Sequence, residues 1–222
     1  MRRIVSILLL AAVLAPVMAQ RPEVGFIRLV NLVAAGEGNL RFAVDDQELF
    51  PRGYTLGQKT GGMGFKAGSY KITAEKEGCQ TADRDIKIAT GETQTLIAYA
   101  EPIRNELEEI IGWEIKVARL RQKSPERGYR VTLVSFCEEK ELAVTIIAEG
   151  TPEPFHEQVP HRKVHSVTAG RAQGGVRIAI GETVLAGFHT DDPGNYVVLI
   201  YTDPEGKRAA IHYYDPKFVI AG

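Results

Sequence analysis

Apolar and polar positions alternate with a period of two along much of this chain, the pattern of half-buried strands. Leu40, Phe42 and Val44 are separated by Arg41 and Ala43. Tyr70, Ile72 and Ala74 are separated by Lys71 and Thr73, and Ile86 and Ile88 by Lys87. Trp113, Ile115 and Val117 alternate with Glu114 and Lys116. Phe26–Val33 is rich in β-formers, and Leu96-Ile97-Ala98-Tyr99 reads as a buried strand inside Thr93–Ala100. Turn residues punctuate these runs: Asp45-Asp46, Thr90-Gly91-Glu92, Gly181-Glu182 and Asp203-Pro204-Glu205-Gly206. The last joins Tyr196–Tyr201 to Ala209–Tyr213 in the clearest hairpin of the sequence. Gly181-Glu182 joins Val176–Ile180 to Thr183–Phe188 in another.

One stretch departs from this rhythm. Ile103, Leu107, Ile110 and Ile111 recur at helical spacing, so one short helix is expected over residues 103–112. Pro102 marks the boundary before it, and Gln122–Gly128 is the best linker. Residues 51–64 form a glycine-rich loop, expected to be mobile, and Pro152, Pro154 and Pro160 punctuate another. Tyr129–Phe136 and Leu142–Ala148 read as strands that pair with each other.

The two halves match in order. Gly25–Val30 resembles Gly128–Leu133, Leu40–Val44 resembles Leu142–Ile146, Ala67–Ile72 resembles Gly174–Ile178, and Gln94–Tyr99 resembles Tyr196–Tyr201. The offset of about 100 residues is the size of a sandwich domain. The expected fold is therefore all-β, with two tandem immunoglobulin-like β-sandwiches and the short helix between them. The expected divisions are 22–102, a connection at 103–127, and 128–222. A single larger sandwich is the rival architecture, favoured if strands of the two halves share a sheet. Cys79 and Cys137 would span the halves as a disulfide if their Cα atoms lay about 4.4–6.8 Å apart; otherwise they are separate thiols.

Residues 25–100 resemble an immunoglobulin-like domain-of-unknown-function family found in tandem in bacterial cell-surface and secreted proteins. The segments that carry the resemblance are Arg28-Leu29-Val30-Asn31, Leu40–Asp46, Ala67-Gly68-Ser69-Tyr70, and Thr90-Gly91-Glu92 leading to Leu96-Ile97-Ala98. Where that family has a Ser-Pro-Asp-like loop after the asparagine, this chain has Leu32–Gly36. The resemblance implies a β-sandwich at the cell envelope and no particular activity.

The N-terminus fits an exported protein. Met1-Arg2-Arg3 precedes an apolar run from Ile4 to Val13, and Val17 and Ala19 stand where signal peptidase accepts small residues. The run is short of the roughly 20 apolar residues of a spanning helix. No cysteine follows it as a lipid attachment point. Cleavage after Ala19 would leave 203 of the 222 residues and release the protein to the periplasm or medium, with no stable membrane span. The whole chain has 27 Lys and Arg against 28 Asp and Glu; losing Arg2 and Arg3 moves the balance from −1 to −3. Such mild acidity gives no footprint for nucleic acid. The expected partners are a protein or a glycan at the cell envelope, or a second copy of the chain.

Chemistry-bearing motifs are sparse, and no catalytic residue or cofactor is expected. All five histidines lie in the second half. His156, His161 and His165, with Glu157, are the candidates for a metal site, although Pro160 and Arg162-Lys163 oppose one. A metal-binding protein or a hydrolase using these histidines is the alternative function. His189 with Asp191-Asp192 lacks a nucleophile motif, and Thr190–Asn195 reads as a turn. The glycine-rich stretch lacks a Gly-Lys-Ser/Thr phosphate loop. Asp45, Asp46 and Glu48 lack calcium-loop spacing. Trp113, Tyr99, Tyr129, Tyr201, Tyr213 and Tyr214 can build a glycan-stacking platform, but aromatics at alternating strand positions, Trp113 above all, more often fill a core.

Overall fold

The computed structural model describes residues 23–123, 128–168, 174–217 and 219–221, and every regular element among them is a strand. The expected signal segment and most of the expected linker lie outside the described residues. No helix among the described residues is long and apolar enough to cross a membrane.

The first half supplies β1 (Val24–Leu32), β2 (Glu37–Val44), β3 (Gln47–Glu48), β4 (Met63–Lys66), β5 (Gly68–Glu77), β6 (Ala82–Ile88), β7 (Thr93–Arg104) and β8 (Ile110–Gln122). The second supplies β9 (Tyr129–Ser135), β10 (Glu141–Ala148), β11 (Phe155–Pro160), β12 (His165–Thr168), β13 (Gly175–Ile180), β14 (Thr183–His189), β15 (Gly194–Thr202) and β16 (Arg208–Asp215). A last strand, β17 (Val219–Ala221), follows. The sheet orders are β8-β7-β1-β4 and β3-β2-β5-β6 in the first half, against β16-β15-β9-β12 and β11-β10-β13-β14 in the second. Each half is a β-sandwich, and strand for strand the orders coincide. β17 then returns to the first half and pairs with β8, Ile220 opposite Arg121.

The registers coincide too. Leu29 lies opposite Leu96 in the parallel pair β1–β7, and Leu133 opposite Val198 in β9–β15. Val44 faces Ile72 in β2–β5, and Ile146 faces Ile178 in β10–β13. Three of the four sequence matches hold in this register. The first slips by one residue: Ile27 is buried where the matched Arg130 is only half-buried. Because side chains alternate, a slip of one exchanges core and outer faces. Gly25 and Gly128 set that match, but burial sets the register.

Four sheets stack with three apolar seams. Each sandwich has its own core, around Leu29, Phe42 and Ile72 in the first and Leu133, Ile146 and Ile178 in the second. A third cluster joins Val30, Leu32, Ile97, Tyr99 and Leu120 to Val134, Val197, Leu199, Tyr201 and Tyr213. The two inner sheets are thus buried on both faces. This is why β7 and β15 read as continuous apolar runs while β2 and β10 alternate. Fully burying one such aliphatic side chain is worth about 1.5–3 kcal/mol, so the middle seam binds the halves firmly.

One end of that seam is polar. Asp215, 1% exposed, lies 3.4 Å from the Arg28 guanidinium and accepts a 2.7 Å hydrogen bond from Gln122. The same guanidinium sits 4.3 Å above the Tyr213 ring. Removing one partner of so buried a pair leaves an uncompensated charge.

Several expectations are corrected. No helix spans 103–112: β7 runs through Pro102 to Arg104, and β8 starts at Ile110. Asn105 builds the turn, its Oδ1 accepting from the Leu107 and Glu109 N–H groups at 2.9 Å each. A helix this short is marginal in water, whereas the asparagine turn lets two strands already paired simply extend. β9 and β10 do not pair; they lie in opposite sheets of their sandwich, as β1 and β2 do. Part of the glycine-rich stretch is strand β4, paired with β1. The rest is stitched to its neighbours, with Gly57 N–H on Asn31 C=O and Thr60 N–H on Leu29 C=O. The proline-punctuated loop contains strand β11, ending at Pro160. Cys79 and Cys137 are separate thiols in different cores.

Candidate functional site

β1 ends at Leu32 opposite Tyr99, but β7 and β8 continue beyond it as a two-stranded arm. The corresponding hairpin β15–β16 turns back earlier, at Asp203–Gly206. The unequal lengths leave a half-open cleft of about 770 Å³ at the junction of the halves. Ala34, Ala35, Tyr99, Ala100 and Trp113 line it from the first half; Phe136, Tyr201 and the polar group Glu138, Glu139, Asp203 and Arg208 line it from the second.

Its aromatic wall is built across the junction. The Tyr99 and Phe136 rings lie 5.0 Å apart, tilted at 49°. Tyr99 and Tyr201 are each 8% exposed and Phe136 is half-buried. Trp113, also half-buried, shares the face of β8 that carries Ile115 and Val117, opposite to that of Tyr99. Arg162 donates to the Tyr99 hydroxyl at 3.1 Å and also pairs with Glu101. Burial, with the Asp203 charge second, pushes the Tyr201 phenol above its ordinary pKa.

Two of the three carboxylates that line the cleft are paired with arginines. Glu139 pairs with Arg208, which also donates to Thr202 Oγ1 at 2.8 Å. Arg104 from the arm reaches Glu138 at 3.4 Å. Asp203 Oδ1 accepts the backbone N–H groups of Glu205 and Lys207 at 2.9 and 2.8 Å.

Pro102 determines what the open edge of β7 can do. The Trp113 carbonyl accepts from Gln80, and the Ile115 N–H donates to Gln80. Trp113 therefore turns its backbone away from β7, and its partner Pro102 turns away from β8, toward the edge that β1 has left. A proline there offers no N–H, so the edge is a poor template for another strand.

The histidine candidates scatter. His156 Nδ1 lies 3.2 Å from Thr145 Oγ1, and the His161 ring faces the Cys137 carbonyl. Only His165 meets Glu157, at 2.7 Å. Their strands β11 and β12 edge different sheets. Among the described residues no three His, Cys, Asp or Glu side chains gather as a metal site. His189 shares a surface hollow with Asp191, Asp192, Tyr196 and His212. His212 stacks on Phe188 at 4.8 Å, and burial, then the Lys59 charge, lowers its pKa. Glu48 near the Asp45-Asp46 turn lies 3.9 Å from Arg41, which also reaches Glu75.

Of the six aromatics that the sequence offers for a stacking platform, Tyr99, Trp113 and Tyr201 line the cleft. Trp113 is half-buried there instead of filling a core. Tyr213 sits in the seam beside Arg28, and Tyr214 packs on Tyr196 at 5.2 Å. Phe136, Glu139 and Arg208 were not singled out. The usable signal for Phe136 is its place: it follows β9 as Leu32 closes β1.

No protein-family model matches the chain, and no curated protein matches it.

Proposed function

We propose that this chain is an exported, non-catalytic binding protein of a bacterial cell envelope, made of two immunoglobulin-like sandwiches, with its ligand in the cleft between them. The observation that carries the reading is that cleft. Its volume falls within the range of about 300–1,000 Å³ usual for ligand sites, and it lies at a junction of domains, where such sites concentrate. Aromatic walls with a few fixed polar groups suit recognition. The N-terminal sequence supports export, and the resemblance of residues 25–100 supports the envelope.

The test is cosedimentation of the mature protein, from Gln20 onward, with isolated bacterial envelopes. The mature protein is expected to sediment with them, and the Trp113→Ala and Phe136→Ala variants, folded by circular dichroism, are expected to stay in solution. Equal sedimentation of folded variants and parent would remove the cleft from the function.

A further inference from the structure

The two sandwiches treat one sheet edge differently. In the first, the outer side of β8 is closed along its length. The Trp113 carbonyl and the Ile115 N–H bond to Gln80, the Val117 carbonyl accepts from the Arg84 guanidinium, and Arg121 pairs with Ile220 of β17. The matching strand of the second sandwich is β16, which ends its sheet.

The direction of the β16 backbone follows from one bond. The Phe136 N–H donates to the Ile200 carbonyl, so even-numbered residues of β15 turn toward β9 and odd-numbered ones toward β16. Their partners Ala209, Ile211, Tyr213 and Asp215 turn back toward β15. Ala210, His212 and Tyr214 therefore turn their N–H and C=O groups outward, and no strand among the described residues pairs with them there. A hollow of about 500 Å³ lies beside this stretch, lined by Phe188, His189, Asp192, His212 and the exposed Tyr214 among others.

Edge strands usually carry a device against pairing: shortness, a proline, a bulge or charge. β3, β4, β12 and β17 are two to four residues long, and β11 ends at Pro160. The β13–β14 register shifts at Ile178/Ala179, and β6 carries Asp83, Arg84, Asp85 and Lys87. β16 has none of these. Its eight residues pair with β15 in unbroken register, and Ala209–Tyr214 holds no proline, glycine, carboxylate, lysine or arginine. A neutral, β-prone run of this kind pairs readily with copies of itself. Antiparallel pairing about a two-fold axis at Ile211 sets Ala209 opposite Tyr213 and Ala210 opposite His212. A small residue then meets a large one each time, and no like charges are brought together.

We infer that two copies of this chain join through β16, antiparallel, merging their second-half inner sheets into one. The contact is isologous and closes on itself, so assembly stops at the dimer. It does not depend on what the cleft binds.

Sedimentation equilibrium of the mature protein, from micromolar to millimolar concentration, is expected to show monomers passing to dimers and to nothing larger. Amide hydrogen exchange followed by NMR over the same range is expected to slow at Ala210, His212 and Tyr214 as the dimer forms. Ala209, Ile211 and Tyr213, already bonded to β15, stay slow throughout. His212→Pro spares the β15 ladder, because the N–H it removes points outward. With its fold verified by circular dichroism, it should weaken the dimer by about tenfold or more, one donor being lost from each copy. A protein that stays monomeric at millimolar concentration overturns the inference, whatever other strand the edge accepts. So does an assembly larger than two, or a dimer in which the three N–H groups exchange as fast as in the monomer. These readouts on the parent protein decide the matter even if His212→Pro fails to fold.

Discussion

The two halves share one strand order and one register, and they differ most where the cleft is. β7 and β8 run 12 and 13 residues; their counterparts β15 and β16 run 9 and 8. Elsewhere the resemblance reaches single hydrogen bonds. Asn31 Oδ1 accepts the Val33 N–H at 2.8 Å, and at the matching place Ser135 Oγ accepts the Cys137 N–H at 3.3 Å. Each closes the exit from its central strand with a local polar turn. The extra length of the first half carries Pro102 and Trp113, and also Leu107, Ile110 and Ile111, which are 77%, 47% and 65% exposed. The shared parts make the core; the unshared arm makes one wall of the site.

The equivalence can be broken at its centre. Leu29 and Leu133 occupy matching positions, 1% and 0% exposed. Leu29→Ala and Leu133→Ala are each expected to cost about 2–5 kcal/mol, from lost burial and the cavity left behind. Urea denaturation measures both. The middle seam couples the sandwiches, so each variant should still unfold in one transition; two separated transitions would mean the halves are independent.

A smaller effect separates the halves by pH. Leu120 and Tyr213 stand at matching seam positions, but only the tyrosine titrates. Burial pushes its phenol from 10.0 up to about 12. Below pH 10 the phenol is neutral in folded and unfolded chains, and its contribution is fully present. Between pH 10 and about 12 the unfolded chain ionises first, so stability falls by on the order of 2 kcal/mol. Tyr213→Phe is expected to flatten this part of the stability–pH curve. An unchanged slope would place the alkaline sensitivity elsewhere.

The smallest effect concerns the paired turns. Ser135→Ala removes one hydrogen bond and should cost about 1 kcal/mol. Asn31→Ala should cost more, because Asn31 Nδ2 also donates to the Tyr54 carbonyl at 2.8 Å. Thermal melts of the two variants give the order; equal losses would mean that the glycine-rich segment holding Tyr54 is secured without Asn31.

Much of the fold was legible in the sequence because strand burial writes itself locally. The alternation at Leu40, Phe42 and Val44 and the Asp203–Gly206 turn needed only neighbouring residues. The arm misled because Ile103, Leu107, Ile110 and Ile111 suit a helical face, yet two of them are exposed beyond half and no core receives that face. β4 and β11 were hidden by Gly64 and by the flanking prolines. Pairing partners were less legible still, since nothing local tells β9 to join β15 and not β10. The cleft was the least legible feature. Tyr99 and Phe136 approach only when two sandwiches dock, and no periodicity spans that separation. The histidines gave the opposite lesson: neighbours in sequence, they were divided between two sheets.

β17 sets the timing of assembly. The strand that completes the first half's inner sheet is Val219–Ala221, and its partner residues are 120–122. A chain growing from its N-terminus therefore exposes the β8 edge until almost every other described residue has been made. The intervening sequence must be closed into one large loop before three residues can pair, an ordering cost that slows such contacts relative to hairpins. The inner edge of the first sandwich can thus be closed only after the whole second half has been synthesised.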